Sequence, residues 1–376
     1  MPEKTVLEQL QNSFPPSSKA AWVSAAEAEL GGKNPAIEKL WSTPDGLTFH
    51  PFYDVTDAGS TTYLKSFQLP PASQSFRGAQ FWFNMPRVTV TDAQSANIKA
   101  LEHLALGADG IVFDVRKCSK VDFHSLLNDI QWPHCAVSFF FSDQVQLTQL
   151  AAYINEHYPV EKLDGAVFWE TFPEKIDILT TSFLHGQKIN FLGLLVESST
   201  PVQEISNALR EGVKYVDMWT DFHHADAEKV IRTISFSLGV GNNFLVEGAK
   251  LKALRMLWFQ VVHAYGVKKY EPHDLYLHTR SETWINESYQ PHGNMVKGTL
   301  AAMASVAGGC NALTVIAEEE TNPMMNRVAR NISSILREES HFDKVADPLA
   351  GSYAIENMVT HLAEAAWKKF IEEIAD

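Results

Sequence analysis

Cysteine is scarce. The 376 residues hold three, Cys118, Cys135 and Cys310, an odd number, far apart and without a C-x-x-C pair. That pattern excludes a disulfide framework and a zinc knuckle, and leaves the three as small buried hydrophobes. Positive charge is also short: 31 Lys plus Arg stand against 45 Asp plus Glu, a formal net charge of −14. A phosphate backbone or an anionic bilayer is repelled at long range by such a chain, so neither a nucleic-acid nor a membrane partner is expected. No apolar run reaches the roughly 18 residues a membrane span needs, and Met1–Ser18 lacks a basic segment followed by an apolar one. The expected compartment is the cytoplasm. Finally, no G-x-G-x-x-G follows the early strand candidates, so the dinucleotide fingerprint of an open doubly wound sheet is missing.

What is present is the balance of a globular protein, with 45% hydrophobic and 20% charged residues. Residues 1–75 carry Pro15-Pro16, Pro35, Pro44-Asp45-Gly46, Pro51 and Pro70-Pro71 around one helical stretch, Lys19–Leu30, and read as an extended arm with a helix. Beyond them, short β-branched or aromatic runs alternate with segments of helical period, the signature of repeated βα units and a parallel sheet. Strands are expected at Gln80–Met85, Gly110–Val115, Cys135–Ser142, Gly165–Glu170, Ile189–Val196, Ser235–Val240, Leu275–Arg280 and Ala312–Ala317. Helices are expected at Ala93–Leu106, Gln144–His157, Val202–Val216, Asn243–Ala264, Asn294–Ala307 and Asn326–Glu338. Eight such units over residues 76–340 fit an α/β fold of the (β/α)8 TIM-barrel type. Residues 341–376 add a turn-rich link, Asp347 to Tyr353, and a helix whose Leu362, Ala366 and Phe370 form one apolar face in need of a partner, either the barrel's outside or another chain.

Barrel enzymes place their chemistry at the C-terminal ends of the strands. Asp221-Phe222-His223-His224-Ala225-Asp226 is the densest polar cluster and has metal-ligand side chains, but at an expected helix start Asp and His are ordinary capping residues, and no metal site is assigned. Gly239-Val240-Gly241-Asn242-Asn243 precedes a long helix whose free N–H groups suit an anion, although the glycines alone make a tight turn. His278-Thr279-Arg280-Ser281 joins a titratable group, hydroxyls and a guanidinium at the seventh strand end. Inside the barrel, the small alternate residues Ser235, Ser237, Gly239 and Gly241 suit an open axis, whereas Phe81/Phe83, Phe139/Phe141 and Phe168 suit a filled one.

Several stretches resemble the substrate-binding half of methylmalonyl-CoA mutase: Leu40 to Leu47, Phe76-Arg77-Gly78, Asn242 to Lys250 running on to Trp258, His278-Thr279, and Asp347 to Tyr353. The resemblance covers nearly the whole chain, in order. It implies a barrel whose axis takes coenzyme A, adenosylcobalamin held over the mouth by a separate domain, an arm that wraps a partner subunit, and radical interconversion of methylmalonyl-CoA and succinyl-CoA. The cofactor supplies the hard chemistry in such enzymes. Residual substrate contacts are then expected from Arg77, Gly241, Asn242, His278, Thr279 and Arg280.

The departures from the family are specific. Its cobalt-ligating Asp-x-His-x-x-Gly has no counterpart: Asp122-Phe123-His124 is followed by Leu127, and Asp221-Phe222-His223 by Asp226. No cobalamin-binding domain is expected after the C-terminal helix. The family's Gly-Tyr-His at the fifth strand reads Gly193-Leu194-Leu195, and its Arg-Gly-Pro-Tyr reads Arg77-Gly78-Ala79-Gln80. Losing an imidazole that assists a thioester carbonyl removes help worth about 10²–10⁴ in rate. The expectation is a small, non-catalytic subunit with no catalytic residue and no cofactor of its own, in a heterodimer whose large subunit binds adenosylcobalamin. A coenzyme A site remains as a residual expectation. The alternatives are an active acyl-CoA mutase barrel that uses a cobalamin domain on a separate chain, with Leu194-Leu195 recognising an apolar acyl branch, and a metal-dependent hydrolase using His223 and His224.

Overall fold

The computed structural model describes residues 18–35, 41–57, 78–158, 163–171, 189–197, 200–281 and 293–375, with Ser13 and Leu64; for Phe222, His223 and Ala375 it describes the backbone alone. The main sheet has nine segments, every neighbouring pair parallel. The two segments at the ends of its order, Phe83–Asn84 and Arg87–Thr89, are consecutive in the chain and separated only by Met85-Pro86. They are two halves of one strand, β1. The first half pairs with the last strand and the second half with the next one, so the sheet curls round and its ends meet. The remaining strands are β2 (Gly110–Asp114), β3 (Ala136–Phe141), β4 (Ala166–Trp169), β5 (Asn190–Val196), β6 (Ile234–Val240), β7 (Tyr276–Ser281) and β8 (Ala312–Thr314). This is the TIM-type barrel expected from the alternation of patterns.

β2 to β7 end within one residue of expectation, whereas β1 and β8 differ by more. β1 starts and ends later than Gln80–Met85, and Pro86, which lacks the N–H a ladder needs, splits it in the middle; the Pro86 carbonyl still accepts from Val112 N–H at 3.0 Å. β8 stops at Thr314 rather than running to Ala317. At the entry to β4, Gly165 holds φ +139°, and a Cβ there would meet the Val137 carbonyl, so only glycine permits the approach.

The described α-helices are α1 (Lys19–Glu29), α2 (Ala93–Ala105), α3 (Phe123–Leu126), α4 (Gln144–His157), α5 (Pro201–His223), α6 (Ala227–Ile231), α7 (Phe244–Ala264), α8 (Gly293–Ala307), α9 (Pro323–Glu338) and α10 (Tyr353–Ala375), and Trp41–Ser42 pairs antiparallel with Thr48–Phe49 in the arm. Their starts follow from side chains: Asp92, Asp122, Asp143, Asp226, Asn243 and Asn322 each accept from a first-turn N–H. Asp143 and Gln146 form a reciprocal capping box on α4. α5 has no side-chain cap of its own from Thr200, and Asp45 of the arm accepts from Val202 N–H at 3.1 Å instead. None of the described helices is long and apolar enough to cross a membrane.

The outer faces of the strands and the inner faces of the helices form the main core, in which Trp132, Trp169, Trp219 and Trp258 are buried. The apolar face of α10 finds its partner on the barrel's outside: Leu362, Ala366 and Phe370 are buried in that core, and Glu373 accepts from Ser206 at 2.8 Å and Arg210 at 3.1 Å on α5. The described arm residues also lie against this chain. Trp22 stacks on Phe52 at 5.0 Å, Lys19 pairs with Asp57 at 2.6 Å, and Asn357 of α10 donates to the Asp57 carbonyl at 2.9 Å.

Candidate functional site

Side chains alternate across each strand, so the residues lining the axis are read off β1 to β8 in steps of two. Met85, Val112, Ala136, Phe140, Ala166, Phe168, Leu195 and Ala312 form one buried cluster, with Phe83 and Tyr276 packed against it. The expected small face of β6 does point inward, but its neighbours occupy the room it leaves. A Cβ on Gly193 would stand 2.6 Å from the Phe168 ring and 2.8 Å from Ser235 Oγ. Phe139 and Phe141, offered above as possible fillers, face the helices, where they meet Phe123 and, for Phe141, Trp169. Phe140, between them, is the axial residue.

His278 sits in the middle of this packing with no exposed surface. Its Nδ1 is 2.7 Å from Ser237 Oγ and its Nε2 2.9 Å from Thr314 Oγ1. Thr314 donates its own proton to the Met85 carbonyl at 2.6 Å, so its oxygen accepts from Nε2–H. That assigns the proton to Nε2 and leaves Nδ1 accepting from the Ser237 hydroxyl, whose oxygen in turn accepts from Arg280 Nε at 3.3 Å. Every polar atom of the imidazole is satisfied in the neutral form. Burial, with Arg280 close by, pushes its pKa down to about 3. Phe168 stacks on the ring at 5.2 Å and Phe140 lies 6.0 Å away.

Above this plug, at the strand C-termini, three guanidinium groups are tied to carboxylates. Arg116 holds Asp114 with two bonds of 2.8 and 2.6 Å, reaches Glu170, and lies 5.4 Å over the Phe140 ring. Burial raises the Asp114 pKa, but the Arg116 bonds outweigh it and hold the carboxyl below its ordinary range. Arg280 donates to the Val196 carbonyl at 2.9 Å and to Glu197 at 3.4 Å, and Arg87 pairs with Glu320.

The other expected site residues are dispersed. Thr279 points out of the barrel, donating to the Ala312 carbonyl at 3.2 Å, because it is one residue out of phase with His278 and Arg280. Arg77 lies outside the described residues. Gly241 and Asn242 sit at the start of α7, but Asn243 caps that helix, and the acidic Glu247 of its first turn is beneath Gly241, 3.0 Å from where a Cβ would be. An anion is disfavoured beside a carboxylate already at the positive end of the helix. Glu247 and Glu204 each lie 2.5 Å from Lys250 Nζ, which also donates to the Gly239 carbonyl at 2.8 Å. This buried triad, absent from the sequence reading, fixes the turn: Lys250 donates to Glu204 and to the Gly239 carbonyl and is paired by charge with Glu247. The Asp221–Asp226 stretch both ends α5 and starts α6: α5 runs seven residues past Val216, His224 closes it at φ 51°, and Asp226 caps α6 as a helix-start residue should.

The sequence profile of the methylmalonyl-CoA mutase family matches residues 189–376. The chain belongs to that family. Against the methylmalonyl-CoA mutase small subunit of Porphyromonas gingivalis it is 29% identical, covering 97% of this chain and 64% of that protein. Methylmalonyl-CoA mutase of Cereibacter sphaeroides is 26% identical over 94% of this chain and 58% of that protein, and the large subunit from Streptomyces virginiae 24% identical over 100% and 58%. The chain therefore spans about three-fifths of the length of these curated relatives.

Within the methylmalonyl-CoA mutase family, the described mouth is a poor fit to adenosylcobalamin. The axial imidazole is bonded at both nitrogens beneath the surface, and the three mouth arginines are engaged by carboxylates. Of Leu194 and Leu195 on β5, Leu195 joins the axial cluster and Leu194 packs outward.

Proposed function

We propose that this chain is the small, non-catalytic barrel subunit of an adenosylcobalamin-dependent methylmalonyl-CoA mutase, pairing with a large subunit that carries the cofactor and performs the isomerisation. The observation that carries the reading is the filled axis. A pantetheine chain passing along the barrel axis has to displace Phe140, Phe168 and His278, and each of the two buried phenylalanines contributes about 3–5 kcal/mol where it is packed. Leu195 adds an apolar group where chemistry on a thioester needs a hydrogen-bond donor. The four carboxylates at the mouth, Asp114, Glu170, Glu197 and Glu320, neutralise Arg87, Arg116 and Arg280, so none of these three described arginines is left to attract the anionic end of an acyl-CoA. What the chain offers its partner is a rigid barrel with an arm.

The test is reconstitution. The chain, mixed with a large subunit, is expected to form a stoichiometric complex by sedimentation, and Arg280→Gln in this chain is expected to leave turnover of the assembled enzyme unchanged. Isomerisation of methylmalonyl-CoA by this chain alone with adenosylcobalamin, or a loss of turnover in the assembled Arg280→Gln enzyme, would overturn the proposal.

A further inference from the structure

On the outer flank of the barrel, far in function from the axis, His124, Glu156 and His157 each bring one ligand atom to within 4.8 Å of the other two. His124 belongs to the short α3, while Glu156 and His157 end α4. Tyr153 organises them. Its ring, 7% exposed, stacks on His157 at 4.2 Å and meets His124 edge-on at 5.2 Å. Its carbonyl lies 3.0 Å from His157 Nδ1, which assigns the ring proton there and leaves Nε2 with a free lone pair. A ligating histidine is oriented in the same way, one nitrogen on a carbonyl and the other on the ion. His124 Nε2 is 3.8 Å from Glu156 Oε2. With ligand bonds of about 2.0–2.1 Å, neighbouring ligands of a tetrahedral ion stand about 3.3 Å apart, a closure that exposed side chains reach by small rotations. The C-terminal end of α4 adds a negative dipole, which favours a cation.

We propose that His124, Glu156 and His157 form a binding site for a divalent transition-metal ion of the zinc class, with a position left for water. Two imidazoles select such ions over calcium or magnesium, which prefer oxygen. The ion would clip α3 to α4.

The full chain, stripped with a chelator, is titrated with Zn²⁺ in competition with a chromophoric chelator. One equivalent is expected to bind, and His124→Ala and His157→Ala are each expected to weaken it by more than the roughly 10–100-fold that loss of a supporting partner costs. His224→Ala, at the other histidine-rich stretch, is expected to leave it unchanged. Because the three side chains are exposed, metal-free melting temperatures of the variants stay at the wild-type value, and Zn²⁺ raises only that of the wild type and of His224→Ala. Absence of stoichiometric zinc, or equal binding by wild type and both site variants, overturns the proposal.

Discussion

Replacing Phe168 by alanine tests whether the axis is a packed core. The ring is fully buried, stacks on His278 at 5.2 Å, and lies 5.9 Å from Phe140. Truncating a buried phenylalanine costs about 3–5 kcal/mol, the spread reflecting how far the site collapses. Collapse is opposed here because Phe168 covers Gly193, which has no side chain to move into the space. The loss therefore belongs at the upper end of that range. Adding Phe140→Ala is less than additive, since the two rings are in contact, and the pair would consume much of the ~5–15 kcal/mol that stabilises a typical domain. The single variant is thus the informative one. Urea unfolding reads the energy, and the histidine resonances read its cause: with the stacked ring gone, water reaches His278 and its pKa climbs from about 3 toward the ordinary value near 6.5. Phe139→Ala is the control, because Phe139 packs outward on Phe123 and Trp132. It is expected to cost a similar energy and leave His278 unmoved. A Phe168→Ala protein within about 1 kcal/mol of wild type, or an unshifted His278, refutes the reasoning.

Lys250→Met leaves Glu204 and Glu247 facing each other without their cation, and is expected to cost about 3–5 kcal/mol in urea unfolding, most of it recovered when both glutamates become apolar as well. Acid weakens the fold through His278: its folded pKa is depressed, so the unfolded chain binds the extra proton, and stability, full above about pH 6.5, falls by up to about 1.4 kcal/mol per pH unit as pH drops toward the folded value. Between about pH 6.5 and 4.5, above the carboxylate range, stability curves of wild type and His278→Gln are expected to differ in slope, the variant's being flatter. Asp143→Ala removes the capping box of α4 and is expected to lower stability by about 0.5–2 kcal/mol in the same assay.

The barrel was legible because each strand is a short β-branched or aromatic run and each following helix carries its period over several turns. The errors fall where a local rule was overridden. Pro86 interrupts β1 just past the expected run, beyond which the strand resumes, and α5 continues past Val216 because Trp219 extends its buried face. The facing of Phe139, Phe140 and Phe141 was not legible, since parallel barrel strands are buried on both sides and a run of three aromatics has no polar face to mark the outside. His278, Thr279 and Arg280 were read together as one strand end, whereas the phase of two turns His278 and Arg280 inward and Thr279 outward. Asp114, Arg116 and Glu170 were readable as strand-end residues and were missed. Glu247 and Lys250 are i,i+3 neighbours on α7, a visible pair whose third member, Glu204, comes from a helix 43 positions earlier in the chain and is brought in by folding alone.

The central claim is that the axis admits no pantetheine chain. Isothermal titration of the purified chain with coenzyme A tests it most directly. The filled axis predicts no saturable heat at millimolar coenzyme A, both for wild type and for Arg280→Gln. Stoichiometric binding at micromolar concentration, lost when Leu195 or Phe168 is enlarged to tryptophan, would contradict it.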